Sequence, residues 1–353
     1  MSKIKSYIAS IVWFSILGVL FVILALDFIS DFVEQLSNLR GDYTLIEAVI
    51  YVFLYIPSSL YDFLPLSALV GCLIGLGILA NTSELTVIRA AGVSVSQIVW
   101  AVFRPVLVYI IFGALLGEYV APYTDQFADS RRDFAQGHKR ALQSDNGLWH
   151  REGNTYMHFN AVLPNGKLYG MTRYKFDDND RLLSATFVES AIHQGSYWFE
   201  QDGRITHFEG DSIRTESFTS RRWDPELSPD ELNVLVLDPE ELPMKRLYDH
   251  AVYLDKQSLD SSEYRLAFWQ KALQPLATLS LVIIAISFVL GPLRQVTMGF
   301  RVFVGVLVGL VFQTSLKMLG PTSIILGFPP VFAVLTPILV CFIIGWALMR
   351  RAQ

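Results

Sequence analysis

The segment between positions 81 and 97 carries the pattern most typical of a functional contact. Asn81 is followed three residues later by Glu84, which is the spacing of a capping box, and Gly92 stands where a short helix would end. The apolar face of this amphipathic helix is expected to consist of Leu85, Val87 and Ile88. Glu84 then has two interpretations that can hold together: it caps the helix, or with Arg89 it is the charged contact for a partner protein.

Four charged residues lie within or beside long apolar stretches, where a charge costs roughly 2.5 to 3.5 kcal/mol on insertion scales. They are Asp62, Arg104, Glu118 and Lys317. Arg104 and Glu118 stand near the ends of their stretch, so their side chains can reach the membrane surface and simple anchoring is expected. For Lys317, which we place at the outer end of its stretch, anchoring and anion binding are equal alternatives.

Two consecutive arginines, Arg131 and Arg132, follow the third apolar stretch. Guanidinium groups bind phosphate through charge-assisted hydrogen bonds, so this pair is a candidate contact for an anionic lipid. The alternative is that both arginines form ion pairs with Asp129 and Asp133.

Common catalytic and metal-binding motifs are absent from the sequence. Gly166-Lys167 is followed by leucine rather than serine or threonine, so it does not form a Walker A loop for ATP. HExxH, CxxC and GxSxG do not occur, and the six histidines are scattered. We therefore expect no catalytic residue, no bound metal and no cofactor. Cys72 and Cys341 both lie in apolar stretches, which excludes a disulfide framework.

The chain has 353 residues, of which 52% are hydrophobic and only 17% are charged, and its mean hydropathy is +0.39. This composition excludes an ordinary soluble domain. The charge is concentrated in residues 121–267, which hold 17 basic and 25 acidic residues. Nucleic-acid binding is excluded as well, because no run of lysine or arginine supplies the cationic surface that it requires.

Six apolar stretches surround the charged block and predict six transmembrane helices, three before it and three after it. They are Ser6–Leu26, Ala48–Ala80, Ser96–Tyr119, Ala272–Leu290, Val302–Leu316 and Val331–Met349. The first is longer than the apolar core of a signal peptide and is followed by no cleavage site. The second predicts one long tilted helix, kinked at Pro57 or Pro65.

The predicted organisation has three parts. Residues 1–120 hold transmembrane helices 1–3 with the short helix at about 82–92, residues 121–267 form a domain of their own, and residues 268–353 hold transmembrane helices 4–6. Basic residues favour the cytoplasmic side of a membrane protein. They concentrate on the side of the N terminus, whereas the first loop on the other side is acidic. We therefore predict that both termini are cytoplasmic and that residues 121–267 lie outside.

The outer domain is predicted to be β-structured, because short strands alternate with turn sequences. Gly147–Phe159 indicates a hairpin that turns at Glu152-Gly153-Asn154. Further strands are expected at 168–176, 182–192 and 197–200, the last ending at Asp202-Gly203. The pattern favours an antiparallel sandwich or a jelly-roll-like domain. Alternation along the strands places four aromatic residues on its inward face, namely Trp149, Phe159, Trp198 and Phe208.

Three motifs agree with a known family. Residues 83–92 read SELTVIRAAG, residues 291–299 read GPLRQVTMG, and Gly320-Pro321 is followed by Gly-Phe-Pro-Pro at 327–330. Over its whole length the chain resembles the LptF/LptG family of lipopolysaccharide export permeases, and the GPLR sequence favours the G type over its F-type sister. The resemblance implies a membrane α-helical fold with six transmembrane helices and an inserted periplasmic antiparallel β domain.

The resemblance also implies the partners. Such a permease is a subunit of an ABC transporter in the bacterial inner membrane, paired with a sister F-type permease. Each permease binds one subunit of a homodimeric cytoplasmic ATPase, which supplies the sites for ATP and Mg. Lipopolysaccharide enters past the first and fifth helices and leaves through the β domains. It passes to a periplasmic bridge, whose single-span member inserts beside the first helix.

The resemblance assigns two residues by position. Glu84 matches the family's coupling acid, in a helix that also contains Arg89 and Gly92, and Arg132 matches a basic residue below the β domain. With the other basic residues expected near the outer surface, the predicted substrate contacts are Arg40, Arg131, Arg132 and Lys317.

The chain departs from its relatives at the end of the first span. Where they carry lysines, it has Asp31, Ser37 and Asn38, which leaves Arg40. Either divalent cations bridge acid and phosphate there, or Lys317, Arg131 and the sister permease supply the positive charge.

Two other classes of protein are alternatives to a transporter subunit without enzymatic activity. A membrane-anchored sensor or assembly scaffold would use the outer domain to bind a ligand, but signalling usually needs one or two spans rather than six. An intramembrane hydrolase would need a nucleophile paired with a base at membrane depth, and the sequence suggests no such pair.

Overall fold

The computed structural model describes residues 2–39, 43–135, 148–163, 167–179, 181–195, 197–209, 212–224, 239–256, 260–291 and 296–352. Arg40 and most of the GPLR motif therefore lie outside the described residues. The chain forms two compact units. The helical unit comprises Met1–Gln35, Val52–Gln126 and Pro239–Gln353, and the β unit comprises Leu36–Tyr51 and Phe127–Asp238.

Ten α-helices and a short 3-10 helix are present in the described residues. They are α1 (Ser2–Ser37), α2 (Leu45–Asp62), α3 (Leu64–Asn81), α4 (Glu84–Ala90), α5 (Val95–Tyr119), α6 (Ala121–Ala135), the 3-10 helix Pro239–Glu241, α7 (Met244–Lys256), α8 (Ser262–Leu290), α9 (Met298–Leu326) and α10 (Pro330–Ala352). Within this described part, seven helices are long and apolar enough to cross a membrane: α1, α2, α3, α5, α8, α9 and α10.

The second predicted span is two helices rather than one, because α2 ends at Asp62 and α3 begins at Leu64. Pro65 explains the break: it has no N–H to donate to the carbonyl of Tyr61, four residues earlier. The side-chain amide of Gln274 in α8 donates to that carbonyl instead, at 2.9 Å. Pro57, the other predicted kink, lies inside α2 without ending it.

Helices α3 and α8 lie at the centre of the helical unit, where 72% and 67% of the positions in their apolar windows are buried. The corresponding values for α1 and α9 are 22% and 17%, so these helices expose most of their apolar surface. Small residues permit the close packing. A Cβ built at Gly71 would lie 2.5 Å from the Cα of Ile16, and one at Gly305 would lie 2.5 Å from Leu73.

The β unit contains a six-stranded sheet, which is antiparallel as predicted; its last strand, Ser212–Trp223, was not predicted. Its strands are β1 (Leu148–Glu152), β2 (Thr155–Leu163), β3 (Lys167–Phe176), β4 (Leu182–His193), β5 (Trp198–Glu209) and β6 (Ser212–Trp223). Each strand pairs with the next along the chain, so the described strands form a meander. They lack the crossover connections that define a jelly roll. The predicted hairpin at Glu152-Gly153-Asn154 joins β1 to β2.

A line of interruptions crosses five strands of this sheet. The register skips one position in each of β2 to β6, namely Asn160, Gly170, Glu189, Asp202 and Thr219. Gly170 and Asp202 have positive φ angles of 60° and 51°. The predicted end of a strand at Asp202-Gly203 is therefore wrong. β5 continues through it with a change of phase, because Trp198 and Glu200 are buried before it and Gly203 and Ile205 after it.

One face of the sheet is buried. Its core consists of Met157, Phe159, Leu168, Met171, Val188, Ala191 and Trp198. The inward orientation of Phe159 and Trp198 is confirmed. Trp149 is 57% exposed while its neighbour His150 is buried, so that prediction was wrong by one residue. Phe208 is half-buried, since the change of phase at Asp202 reverses the alternation beyond it.

Candidate functional site

Helix α4 is a seven-residue helix held between α3 and α5. It begins at Glu84, directly after Ser83, whose φ of 60° lies in the left-handed region. Ser83 makes no side-chain capping hydrogen bond, and Asn81 is the last residue of α3, so the predicted capping box is wrong. The predicted role of Gly92 is confirmed: its φ is +86°, and its N–H donates to the carbonyl of Arg89 at 3.0 Å.

The two faces of α4 differ sharply. Leu85 and Ile88, one helical turn apart, are buried in the core of the helical unit. Val87 lies on the opposite side and is 66% exposed, so its assignment to the buried face was wrong. The exposed face consists of Thr86, Val87 and Ala90, and the exposed residues Ala91 and Gly92 continue it. This face, which we call the α4 surface, is small, short-chained and partly apolar, as a docking contact requires.

Glu84 lies at the edge of the α4 surface and is held by α1. The hydroxyl of Tyr7 donates to Glu84 Oε2 at 2.9 Å, and Tyr7 is itself 48% exposed. The carboxylate is therefore oriented by another helix instead of capping its own. Sequence reasoning missed Tyr7, because a tyrosine in the first turns of an apolar span gives no signal of a contact 77 residues along the chain.

The predicted lipid contacts Arg131 and Arg132 lie on α6 and form ion pairs in the β unit. Arg131 donates to both carboxylate oxygens of Glu47 in α2, at 2.5 and 2.9 Å. This contact raises the pKa of the Arg131 guanidinium. Arg132 forms an ion pair with Asp129 at 3.2 Å and donates to the hydroxyl of Tyr51 at 3.0 Å. The ion-pair alternative thus holds for Arg132 and Asp129, while the partner of Arg131 is Glu47, which sequence analysis did not identify.

Three of the charged residues predicted within the apolar stretches lie in identifiable surroundings, namely Asp62, Glu118 and Lys317. Glu118 accepts a hydrogen bond from the backbone N–H of Met244 at 2.9 Å and so binds the first turn of α7. Lys271 and Lys317 lie within electrostatic range of Asp62. Lys317 is exposed on α9, which continues beyond it to Leu326.

The described residues contain no group of three or more His, Cys, Asp or Glu side chains that could hold a metal ion. Cys72 and Cys341 are both free, the first buried and the second half-buried. What this part of the chain does offer is a short helix with an exposed face between membrane-type helices. A multi-helix membrane protein with an inserted β domain and an exposed helix between two spans belongs to the class of transporter permease subunits.

The comparison with known families agrees. The family described as "Lipopolysaccharide export system permease LptF/LptG" matches residues 6–351, and this chain belongs to it. Membership confirms a permease subunit rather than an enzyme, and with the apolar helices it indicates a protein of the inner membrane.

Two relatives match the chain over nearly its whole length and theirs. The chain is 33% identical to the lipopolysaccharide export system permease protein LptG of Escherichia coli K12 over 353 residues, which cover 98% of each chain. It is 32% identical to the protein of the same name from Haemophilus influenzae Rd over 355 residues, covering 100% of this chain and 99% of the relative.

Proposed function

We propose that this chain is the G-type permease subunit of an ABC transporter. The transporter extracts lipopolysaccharide from the outer leaflet of the inner membrane and passes it to a periplasmic bridge. The observation that carries the proposal is the α4 surface, placed on a chain that matches the LptF/LptG family over nearly its full length. An ATPase that pushes on a permease needs such a rigid, exposed contact between two spans.

The proposed assembly contains a sister F-type permease and a homodimeric cytoplasmic ATPase, together with a single-span bridge protein. ATP and Mg bind to the ATPase, and this chain binds neither. Two observations support the ATPase contact. Leu85 and Ile88 anchor α4 in the core of the helical unit. A displacement of its outer face is therefore transmitted to the helices that pack around these two residues. Glu84 adds a carboxylate that Tyr7 holds in one orientation.

The proposed topology places both termini and α4 in the cytoplasm and residues 121–267 in the periplasm. Six crossings are then needed, so α2 and α3 together make one of them.

Lipopolysaccharide is proposed to meet the chain at Arg40, Arg131, Arg132 and Lys317 and then at the buried face of the sheet. Lys317 is the simplest of these contacts, because its side chain is exposed on a helix with a largely exposed apolar surface. Arg131 and Arg132 must first exchange Glu47 and Asp129 for a phosphate group.

The test is copurification of the ATPase with variants of Glu84 in the assembled complex. Glu84→Lys reverses a charge at a small interface and should abolish recovery of the ATPase without reducing the amount of permease in the membrane. Glu84→Gln is the matched control: it keeps the shape and can accept the hydrogen bond of Tyr7, so it should retain most of the ATPase.

Normal recovery of the ATPase with Glu84→Lys would contradict the proposed contact. A wild-type complex that contains no ATPase in mild detergent would contradict the transporter itself and favour a sensor or scaffold.

A further inference from the structure

Arg301, in the first turn of α9, is a fully buried arginine beside the end of α3. Its side chain has 0% exposure. Its terminal NH1 group donates to the carbonyl oxygen of Gly77 at 2.9 Å and to Oδ1 of Asn81 at 3.0 Å. Asn81 is the last residue of α3, and α4 begins at Glu84. The arginine therefore joins the start of α9 to the last turn of α3, next to the α4 surface.

This contact has demanding geometry. A buried guanidinium group loses its hydration and is tolerated only when its donors have fixed partners. Gly77 leaves room for it, because a Cβ built at that position would lie 2.9 Å from NH1 of Arg301 and 3.2 Å from the sulfur of Met298. The end of α3 can therefore move relative to α9 only by breaking costly hydrogen bonds or by carrying α9 with it.

The hydrogen bonds of Arg301 connect two elements that each have a proposed role. Behind Asn81 lies α4, whose outer face is the proposed contact for the ATPase. Beyond Arg301 runs α9, which exposes most of its apolar surface and carries Lys317, a proposed lipid contact. We infer that Arg301 is a positioning residue that transmits movement of α4 to α9 and so couples the ATPase to the lipid. This inference rests on the proposed function.

The experiment measures the ATPase activity of the assembled transporter without lipid and with added lipopolysaccharide. Arg301→Met keeps an unbranched, flexible side chain but ends at the position of Nε and removes the hydrogen bonds, whereas Arg301→Lys keeps the charge and ends one bond short of NH1. Asn81→Ala removes one acceptor at an exposed position, where little loss of folding is expected. Arg104→Met is the matched control, because Arg104 is an exposed arginine in another membrane helix.

Coupling energies between sites typically correspond to fivefold effects or more. We expect Arg301→Met to reduce the ratio of stimulated to basal activity by roughly fivefold, with basal activity and recovery of the ATPase unchanged. Arg301→Lys and Asn81→Ala should give smaller losses of the ratio. Arg104→Met should resemble the wild type. Adding Asn81→Ala to Arg301→Met should cause no further loss, since both substitutions break the same connection.

Two results would overturn the inference. The first is a wild-type ratio in Arg301→Met. The second is a loss of basal and stimulated activity together in every variant of Arg301 and Asn81, which would indicate a purely structural role. If Arg301→Met fails to assemble, a wild-type ratio in Asn81→Ala and Arg301→Lys would overturn it equally. Failure of the proposed function gives a different result, because the wild-type complex itself would then lack the ATPase or its stimulation by lipopolysaccharide.

Discussion

The helical unit and the β unit each bury an arginine, and they stabilise it in different ways. Arg301 in the helical unit donates to neutral acceptors on a neighbouring helix. Arg173 in β3 lies 2.6 Å from the carboxylate of Glu200, a residue with 0% exposure in β5, and 4.4 Å above the ring of Trp223. The first arrangement joins two helices at one geometry, whereas the second brings opposite charges together within a single sheet.

The difference predicts which contact tolerates replacement by apolar side chains. A donor held by neutral acceptors cannot be replaced by an apolar pair without losing the connection between helices. A buried ion pair can be replaced by apolar side chains, because its Coulomb attraction is largely offset by the desolvation of both charges. In the described part of the chain, neither Glu200 oxygen has a partner with hydrogen-bond geometry, which increases that cost.

The largest expected effect comes from breaking this pair on one side. Glu200→Ala removes a fully buried side chain together with the partner of Arg173 and should destabilise the sheet by about 3 to 5 kcal/mol. Hydrogen exchange of the amides in β3 and β5 measures this as faster local opening.

The double variant Arg173→Met/Glu200→Leu is the matched control. It removes both charges at similar volume and should restore protection to near the wild-type level. A double variant as unstable as Glu200→Ala would mean that the pair itself is required for the sheet.

The same pair predicts a dependence on pH. Burial raises the pKa of the Glu200 carboxyl above its ordinary value of 4.5, and the charge of Arg173 opposes that rise. The folded sheet then binds a proton more readily than the unfolded chain. The contribution to stability is full below pH 4.5 and is lost as the pH rises through the raised folded value. Amide protection in β5, corrected for intrinsic exchange, should therefore decrease with rising pH.

The variant Glu200→Gln cannot titrate and should show a flat profile over the same range. Protection that increases with pH in the wild type would mean that Arg173 dominates and that the pKa of Glu200 is lowered.

Packing in the helical unit gives the next largest effect. Gly71→Ala would place a Cβ 2.5 Å from the backbone Cα of Ile16, so α1 must move away from α3. We expect destabilisation of about 3 kcal/mol, at the upper end of the usual cost of overpacking. Thermal unfolding of the purified protein in detergent measures it. Gly18→Ala is the control, because a Cβ at Gly18 meets nothing within 4 Å. Equal effects of both substitutions would contradict the close approach of α1 and α3.

Much of the fold was predictable because its signals are local. Long apolar runs identified the membrane helices, and turn sequences such as Glu152-Gly153-Asn154 identified the hairpins. The errors arose where a contact between residues far apart in the sequence determines the local structure. The second span breaks at Pro65, as the sequence could indicate, but the hydrogen bond from Gln274 to the carbonyl that Pro65 leaves free could not be predicted. β5 continues through Asp202-Gly203, where Gly203 leaves room for the ring of Phe218, which a Cβ at that position would meet.

The site was predictable to a smaller extent. The sequence located α4 and the end of the helix at Gly92, since helix stop signals are short-range. It could not reveal that Tyr7 holds Glu84, that Glu47 binds Arg131, or that Arg301 binds the end of α3. These partners are separated by 77, 84 and 224 residues, and hydrophobic periodicity carries no information about polar contacts at such distances.

The smallest expected effect concerns the ion pair of Arg131 and Glu47, which is partly exposed and contrasts with the buried pair of Arg173 and Glu200. Water screens both charges, so Glu47→Gln should change the unfolding temperature only slightly. A salt concentration of 0.5 M should remove the difference, because high ionic strength screens surface charges.

Glu47→Gln also frees Arg131 for a phosphate group. If Arg131 contacts the lipid, the variant should retain more lipopolysaccharide on purification than the wild type, and Glu47→Gln/Arg131→Gln should lose that gain. A large loss of stability in Glu47→Gln, or equal lipid in all three proteins, would show that this arginine serves the fold as Arg173 does.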